Sequence, residues 1–207
     1  MRLLFKCSST RFISALVVII VIFSGLTAQA AEPKYVVENF HAALLKVMKS
    51  AKKTPVKARY LQLEPIISKA FNLNFMIRVA VGSRWKKASD TEKSSLDAAF
   101  KRMSVSTYAF RFSGYSGQSF KTIGILDGPR KTKLVKTHLV RPGDTPVKLT
   151  YVMRQFAQDW KIVDVLLDGS ISELAVRVSE YRNILRKKGV SALANALNVK
   201  ANQLVSQ

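Results

Sequence analysis

The stretch from Val147 to Tyr181, VKLTYVMRQFAQDWKIVDVLLDGSISELAVRVSEY, constrains the fold of this chain more than any other. Val147, Leu149, Tyr151 and Met153 alternate with Lys148, Thr150 and Arg154, the two-residue period of a strand with one buried face. Val152 alone departs from it. Ala157-Gln158-Asp159 can close a hairpin onto a second β-rich run, Trp160 to Leu167, in which Trp160, Ile162, Asp164 and Leu166 share one face by strand parity. Asp168-Gly169 ends that strand. Ser170, three residues ahead of Glu173, has capping-box spacing for a helix whose apolar stripe is Ile171, Leu174, Val178, Tyr181 and Leu185. The unit is therefore a hairpin, a tight turn and an amphipathic helix.

The rest of the chain supplies what such a unit packs against. Val36, Phe40, Leu44, Val47 and Met48 recur at helical spacing from about Pro33 to Lys52, and a second helix around Val56 to Ala70 contains Pro65, which is expected to bend it or to start a new segment. Phe71, Leu73, Phe75, Met76, Val79 and Val81 crowd a short helical run before Gly82. Ser89 and Glu92 repeat the capping-box spacing ahead of a long helix from Asp90 to about Phe112. Ser113 to Gly117 break it, and strand-like runs follow at Phe120 to Leu126 and Thr132 to Val140. Gly189 can cap the helix begun after Glu173, and a last helix follows it. Helices, then a four-stranded antiparallel meander, then helices make an α+β pattern.

The first thirty residues read differently. Arg2, Lys6 and Arg11 precede an uncharged apolar run from Phe12 to about Leu26, and Ala28-Gln29-Ala30 is a small-residue cleavage site. Residues 1–30 are thus expected to be a signal peptide cut between Ala30 and Ala31, with one domain at 31–207; the apolar run is shorter than the ~20 residues of a spanning helix. The single cysteine, Cys7, lies in this leader, which leaves the mature chain without thiol or disulfide chemistry. The formal charge of +21 loses only the leader's three basic residues, and the remaining +18 favours anionic partners. A secreted chain meets acidic lipids and membrane surfaces rather than nucleic acid.

The Tyr151 strand, Trp-Lys-Ile-Val-Asp-Val at 160–165, Asp-Gly-Ser-Ile-Ser at 168–172, and a helix with Arg177, Glu180-Tyr181 and Ile184-Leu185 before Gly189 resemble the MlaC, or toluene-tolerance, family of periplasmic lipid-shuttle proteins. Further matches are Phe71, Phe75-Met76, Val81-Gly82 with Trp85, Phe100 to Met103, Tyr108-Ala109, Arg111-Phe112, Gly114 to Gly117 with Phe120, and Pro146-Val147. Asp-Gly-Ser-Ile-Ser-Glu-Leu at 168–174 is closer to the hopanoid-associated HpnM branch than to the phospholipid branch, which favours Gly-Val-Ser. The resemblance implies a curved four-stranded sheet of the nuclear-transport-factor-two-like kind with an interleaved helical subdomain. It also implies a periplasmic carrier for a hopanoid or phospholipid, working with a membrane transport complex through transient surface contact.

Catalytic chemistry is sparse. His41 and His138 lie far apart without ligand-spaced neighbours, so no metal or other cofactor is expected, and each is read as a surface or half-buried residue. There is no phosphate-binding glycine loop and no nucleophile elbow. Asp164, placed by parity on the buried face, is the one candidate acid or base. The alternative role is structural, a carboxylate accepting hydrogen bonds from a basic or aromatic partner and fixing the sheet against a helix, with Gly169 grouped beside it as a structural or polar pocket residue. Phe71, Phe75, Met76, Val79, Trp85, Phe100, Met103, Tyr108, Phe112, Tyr151, Met153, Trp160 and Leu166 fall on inward faces by periodicity, either as a filled core or as the walls of an apolar pocket. The resemblance implies the pocket. Gly82, Gly114 and Gly117 are candidate hinges at its mouth, and Lys86, Lys87, Arg186, Lys187 and Lys188 are candidates for docking to acidic head groups or to a partner. The competing functions are an enzyme built on Asp164 and an adaptor that binds a transporter through its basic face.

Overall fold

A computed structural model describes residues 32–206; the expected leader and its cleavage site lie outside them. Six helices and five strands follow one another as α1 (Pro33–Ser50), α2 (Val56–Ala70), α3 (Leu73–Val81), α4 (Ser83–Lys87), α5 (Asp90–Arg111), β1 (Ser119–Asp127), β2 (Lys133–Val140), β3 (Val147–Phe156), β4 (Asp159–Leu167), β5 (Ile171–Ser172) and α6 (Glu173–Val205), with short 3-10 turns at Ala51–Lys53 and Pro129–Lys131. The boundaries are set by local chemistry. Ser89 and Glu92 form a reciprocal capping box, Ser89 Oγ accepting from the Glu92 amide at 3.2 Å while a Glu92 carboxylate oxygen accepts from the Ser89 amide at 2.9 Å. Asn72 caps α3 by accepting from the Phe75 amide at 2.9 Å. The α2 helix continues through Pro65 instead of ending there. Arg59, 7% exposed, lies across helix ends with carbonyl partners: Ala109 at 2.9 Å and Thr54 at 2.6 Å. Its positive charge suits the negative end of α5.

The strands form one antiparallel sheet in the order β1-β2-β3-β4-β5, so the meander has five strands rather than four. The added strand comes from the Asp168-Gly169 turn. Both residues have positive φ, 48° and 81°, and the Ser170 amide donates to the Leu167 carbonyl at 3.1 Å, which makes a tight hairpin turn of the primed kind. The chain therefore reverses, and Ile171 and Ser172 pair with Leu167 and Leu166 before the helix starts. As a result the cap of α6 is Ser172, accepting from the Ala175 amide at 2.9 Å, and not Ser170. Within α6, Gly189 adopts φ 79° and ψ −172°, a conformation essentially reserved for glycine. It breaks the helix in two at the position expected from the sequence, but with an extended ψ rather than that of a left-handed helical cap.

One register shift changes which side chains face inward. Tyr151 pairs with Val165, Val152 with Asp164, but Met153 with Ile162, leaving Val163 as an extra residue on β4. This β-bulge reverses the parity of the strand. On one side of it Ile162 faces the helices; on the other, Val165 and Leu167 do so, while Asp164 and Leu166 turn to the opposite face. The helical layer covers the inner face, and the core runs through Phe40, Leu44, Leu63, Ile67, Ile77, Leu96, Phe100, Met153, Ile162 and Leu193, each at most 2% exposed. The end of α2 is pinned to the bulge region, since the Asn72 amide donates to the Ile162 carbonyl at 2.9 Å and Lys161 Nζ to the Lys69 carbonyl at 2.8 Å.

Candidate functional site

The pinning of Asn72 to β4 leaves Phe71 facing the sheet's inner surface, and the space beside it is not filled. A cavity of about 160 Å³ lies between the α2–α3 junction, α5, the first turns of α6 and the paired ends of β3 and β4. Phe71, Leu73, Met76, Tyr108, Phe112, Leu149, Tyr151, Val165 and Leu167 supply apolar walls; Ser104, Thr107, Arg111, Glu173 and Arg177 supply the polar ones. Thr107 turns its hydroxyl back to the Met103 carbonyl at 2.8 Å, so it offers a methyl to the interior. Tyr108 and Phe112, one helical turn apart, stack at 5.7 Å with planes 8° apart and make a flat wall. Arg177 lies 5.7 Å from the Phe100 ring and donates to the Tyr181 hydroxyl at 3.3 Å. Burial opposes its charge, but Tyr181, Glu173 and Glu180 outweigh burial and raise its pKa. Arg111 is exposed at the open side. The interior is thus apolar, with two guanidinium groups at its boundary.

Behind the Tyr151 wall sits a buried polar pair. His41, 3% exposed, stacks on Phe120 at 3.9 Å, and its Nε2 lies 2.8 Å from the Tyr151 hydroxyl. Burial lowers the His41 pKa from 6.5 to about 3, so the ring is neutral at physiological pH. The Tyr151 and Tyr108 phenols are pushed well above their ordinary value by burial. None of these groups is poised for proton transfer near neutrality. His41 was expected at or near the surface; its partner is 110 residues away, out of reach of any local pattern.

Of the inward residues expected from periodicity, the cavity brings together Phe71, Met76, Tyr108, Phe112 and Tyr151. Phe100 and Met153 are fully buried in solid core, and Met103 packs against it. Phe75 meets Phe156 and Arg154 at the sheet's far end, Trp85 lies under Arg78, and Val79 is 43% exposed. Trp160 borders a separate hollow between α1, α2 and the start of β4. Leu166 does not face the interior, because the bulge at Val163 turns it outward; its neighbour Leu167 takes the wall position.

The same bulge moves Asp164 off the face predicted for it. There its carboxylate accepts from Ser172 Oγ at 2.5 Å and from the Leu174 and Val165 amides at 2.9 and 2.8 Å. It fixes β5 and the start of α6 to β4, and thereby sets Glu173 and Arg177 at the cavity. Gly169 contributes only the turn. Lys86, Lys87, Arg186, Lys187 and Lys188 are all exposed. Ser191 Oγ donates to a Glu92 carboxylate oxygen at 2.9 Å, joining the stretch after Gly189 to the first turn of α5. Among the described residues no group of three His, Cys, Asp or Glu side chains could hold a metal ion, and no helix is long and apolar enough to cross a membrane.

A curved antiparallel sheet closed by helices over an apolar hollow, with charge confined to the edge, defines a cavity-bearing α+β domain. Its architecture is shared with a solved phospholipid-binding protein from Ralstonia solanacearum in complex with a phospholipid, at a TM-score of 0.73 and 18% sequence identity, covering 84% of this chain and 99% of that one. No curated protein matches the chain. The family model of the MlaC protein matches residues 38–199, and this chain belongs to the MlaC family.

Proposed function

We propose that this protein is a periplasmic lipid carrier, which takes the hydrocarbon part of a membrane lipid into the cavity against β3 and β4 and delivers it to a membrane or a membrane transport complex. The observation that carries this is an apolar hollow kept open between the sheet and the helices, where filling the space would be the default. Family membership and the phospholipid in the Ralstonia protein support a lipid occupant. Each methylene transferred from water contributes about 0.8 kcal/mol, enough in sum to hold a chain that water cannot. At about 160 Å³ the hollow matches the volume of an engineered cavity that takes a single benzene, ~150 Å³, so loading requires the helices to part from the sheet. Gly82 and Gly117, at φ 58° and 88°, together with Gly114, lie in the connections that would absorb that motion.

Arg111 and Arg177 suit an anionic head group, which favours a phospholipid over the hopanoid suggested by the 168–174 signature. The exposed Lys86, Lys87 and Arg186 to Lys188 would steer the carrier to an acidic membrane or partner. The competing acid–base role for Asp164 has no support, since its oxygens are occupied by three donors and face away from the cavity. The test is mass spectrometry of organic extracts from mature protein purified from the periplasm without detergent. Stoichiometric phospholipid is expected. A stoichiometric hopanoid would reassign the cargo, and no lipid after incubation with membranes would sink the carrier function.

A further inference from the structure

The cavity against the paired ends of β3 and β4 is not alone on the inner face of the sheet. A second, of about 330 Å³, lies where α1 and α2 cross the start of β4, walled by Val36, Phe40, Ala43, Ile66 and Ala70 with Trp160 beside them. A partition of aromatic rings separates the two. Phe40, 1% exposed, borders the second hollow and meets Phe71 and Tyr108 edge-on at centroid distances of 5.1 and 5.4 Å, and both of these wall the first. The hollows also lie along one strand, Leu167 and Val165 walling the first, Trp160 the second, and buried Ile162 between them. From Leu167 to Trp160 the strand covers about 20 Å, at ~3.3 Å per residue with the bulge allowed for.

We infer that the second hollow is the far chamber of the same site, occupied by the methyl end of an acyl chain that enters through the first, with Phe40 as the movable partition that sets which chain lengths are accepted. This rests on the proposed carrier function. The first cavity alone is too small for a long chain, and the second continues it in the direction of the strand. The second is also the poorer seat for a head group, since apart from Lys161 its one cation is Lys69, exposed at the rim. Its polar edge is Asn39, Lys69, Asp159 and Lys161, and the Lys161 amine is committed to the Lys69 carbonyl at 2.8 Å, with Asp159 at 3.6 Å. The two arginines stand at the other cavity. An occupant of the second chamber is therefore a chain end rather than a separate amphiphile.

Trp160 is a built-in reporter. The chain has two tryptophans, so Trp85→Phe leaves Trp160 as the sole emitter. This variant is loaded with phosphatidylcholine brominated either near the methyl end or near the carboxyl end of an acyl chain, and bound lipid is quantified in the same samples by mass spectrometry. Bromine near the methyl end is expected to quench most of the Trp160 emission, and bromine near the carboxyl end little of it. A second measurement uses competition among phosphatidylcholines of increasing chain length. For chains long enough to reach the partition, affinity should rise about fourfold per added methylene, the equivalent of ~0.8 kcal/mol. Ala43→Phe, which fills the chamber without removing a buried side chain, should abolish that rise. Stoichiometric lipid without quenching would overturn the second chamber and leave the carrier function standing. Quenching only by the carboxyl-end label would overturn it too, by showing entry at Trp160. Absence of bound lipid would instead overturn the carrier function on which the inference rests.

Discussion

Acid should loosen this domain well before its carboxylates titrate, through His41. The imidazole is enclosed by Phe40, Phe120 and Tyr151, and burial holds its pKa at about 3 against 6.5 when unperturbed. Between these values the unfolded chain binds a proton that the folded chain does not. Stability is therefore complete above about pH 6.5 and falls as pH drops, by about 1.4 kcal/mol per unit, levelling off near pH 3 after a loss of ~5 kcal/mol. Such a loss is a large share of the 5–15 kcal/mol that typical domains possess. At pH 5, still above the ordinary range of Asp and Glu, the loss should be ~2 kcal/mol. Urea unfolding followed by circular dichroism between pH 7.5 and 5 reads this slope directly. His41→Leu, which removes the titrating group, should be nearly flat over the same interval. A flat wild-type profile, or an unchanged slope in His41→Leu, would refute the assignment. Because protonation puts a buried charge beside Tyr151, a wall of the cavity, lipid retention should decline over the same pH interval.

Two further outcomes test the consequences of the bulge. Asp164→Ala should cost about 2–3 kcal/mol in urea unfolding, the range for bonds to a charged group plus an orphaned Leu174 amide; a change below 0.5 kcal/mol, on the order of a neutral surface substitution, would count against its bracing role. Leu167→Lys should sharply reduce the lipid recovered with the purified protein, while Leu166→Lys, on the opposite face, should leave recovery unchanged, and the reverse result would restore the simple strand parity.

The helices and the hairpin were legible because their signals are local. Ser89 and Glu92 are three residues apart, the α1 stripe repeats at helical spacing, and Val147 to Met153 alternate with the single exception of Val152. The bulge was not legible, because an extra residue in a ladder is defined by its partner strand, and nothing in Ile162-Val163-Asp164 distinguishes a bulged run from a regular one. That one step sent Leu166 and Asp164 to the wrong face and hid Val165 and Leu167 from the cavity wall. The position of Ser172 as cap followed from a two-residue strand too short to show any periodicity. Arg111, Arg177 and Glu173 were missed as cavity residues for another reason. Charged groups on amphipathic helices ordinarily mark the solvent side; Glu173 and Arg177 become neighbours of an apolar interior because the Asp164 brace fixes where α6 begins, and Arg111 does so as the last residue of α5.

The placement of α6 has a consequence for how the molecule comes to exist. Its first turns carry two of the cavity's boundary residues, and its buried side chains continue from Leu174 through Tyr181, Leu185, Leu193 and Leu197 to Leu204. This one helix is therefore both a wall of the container and a long seam of its core. A chain that lacks α6 is missing one side of the cavity, which leaves Tyr151, Val165 and Leu167 more open to whatever hydrophobic surface is near. Without α6 there is no vessel to fill, and a chain that has not yet docked it is itself a client for a chaperone.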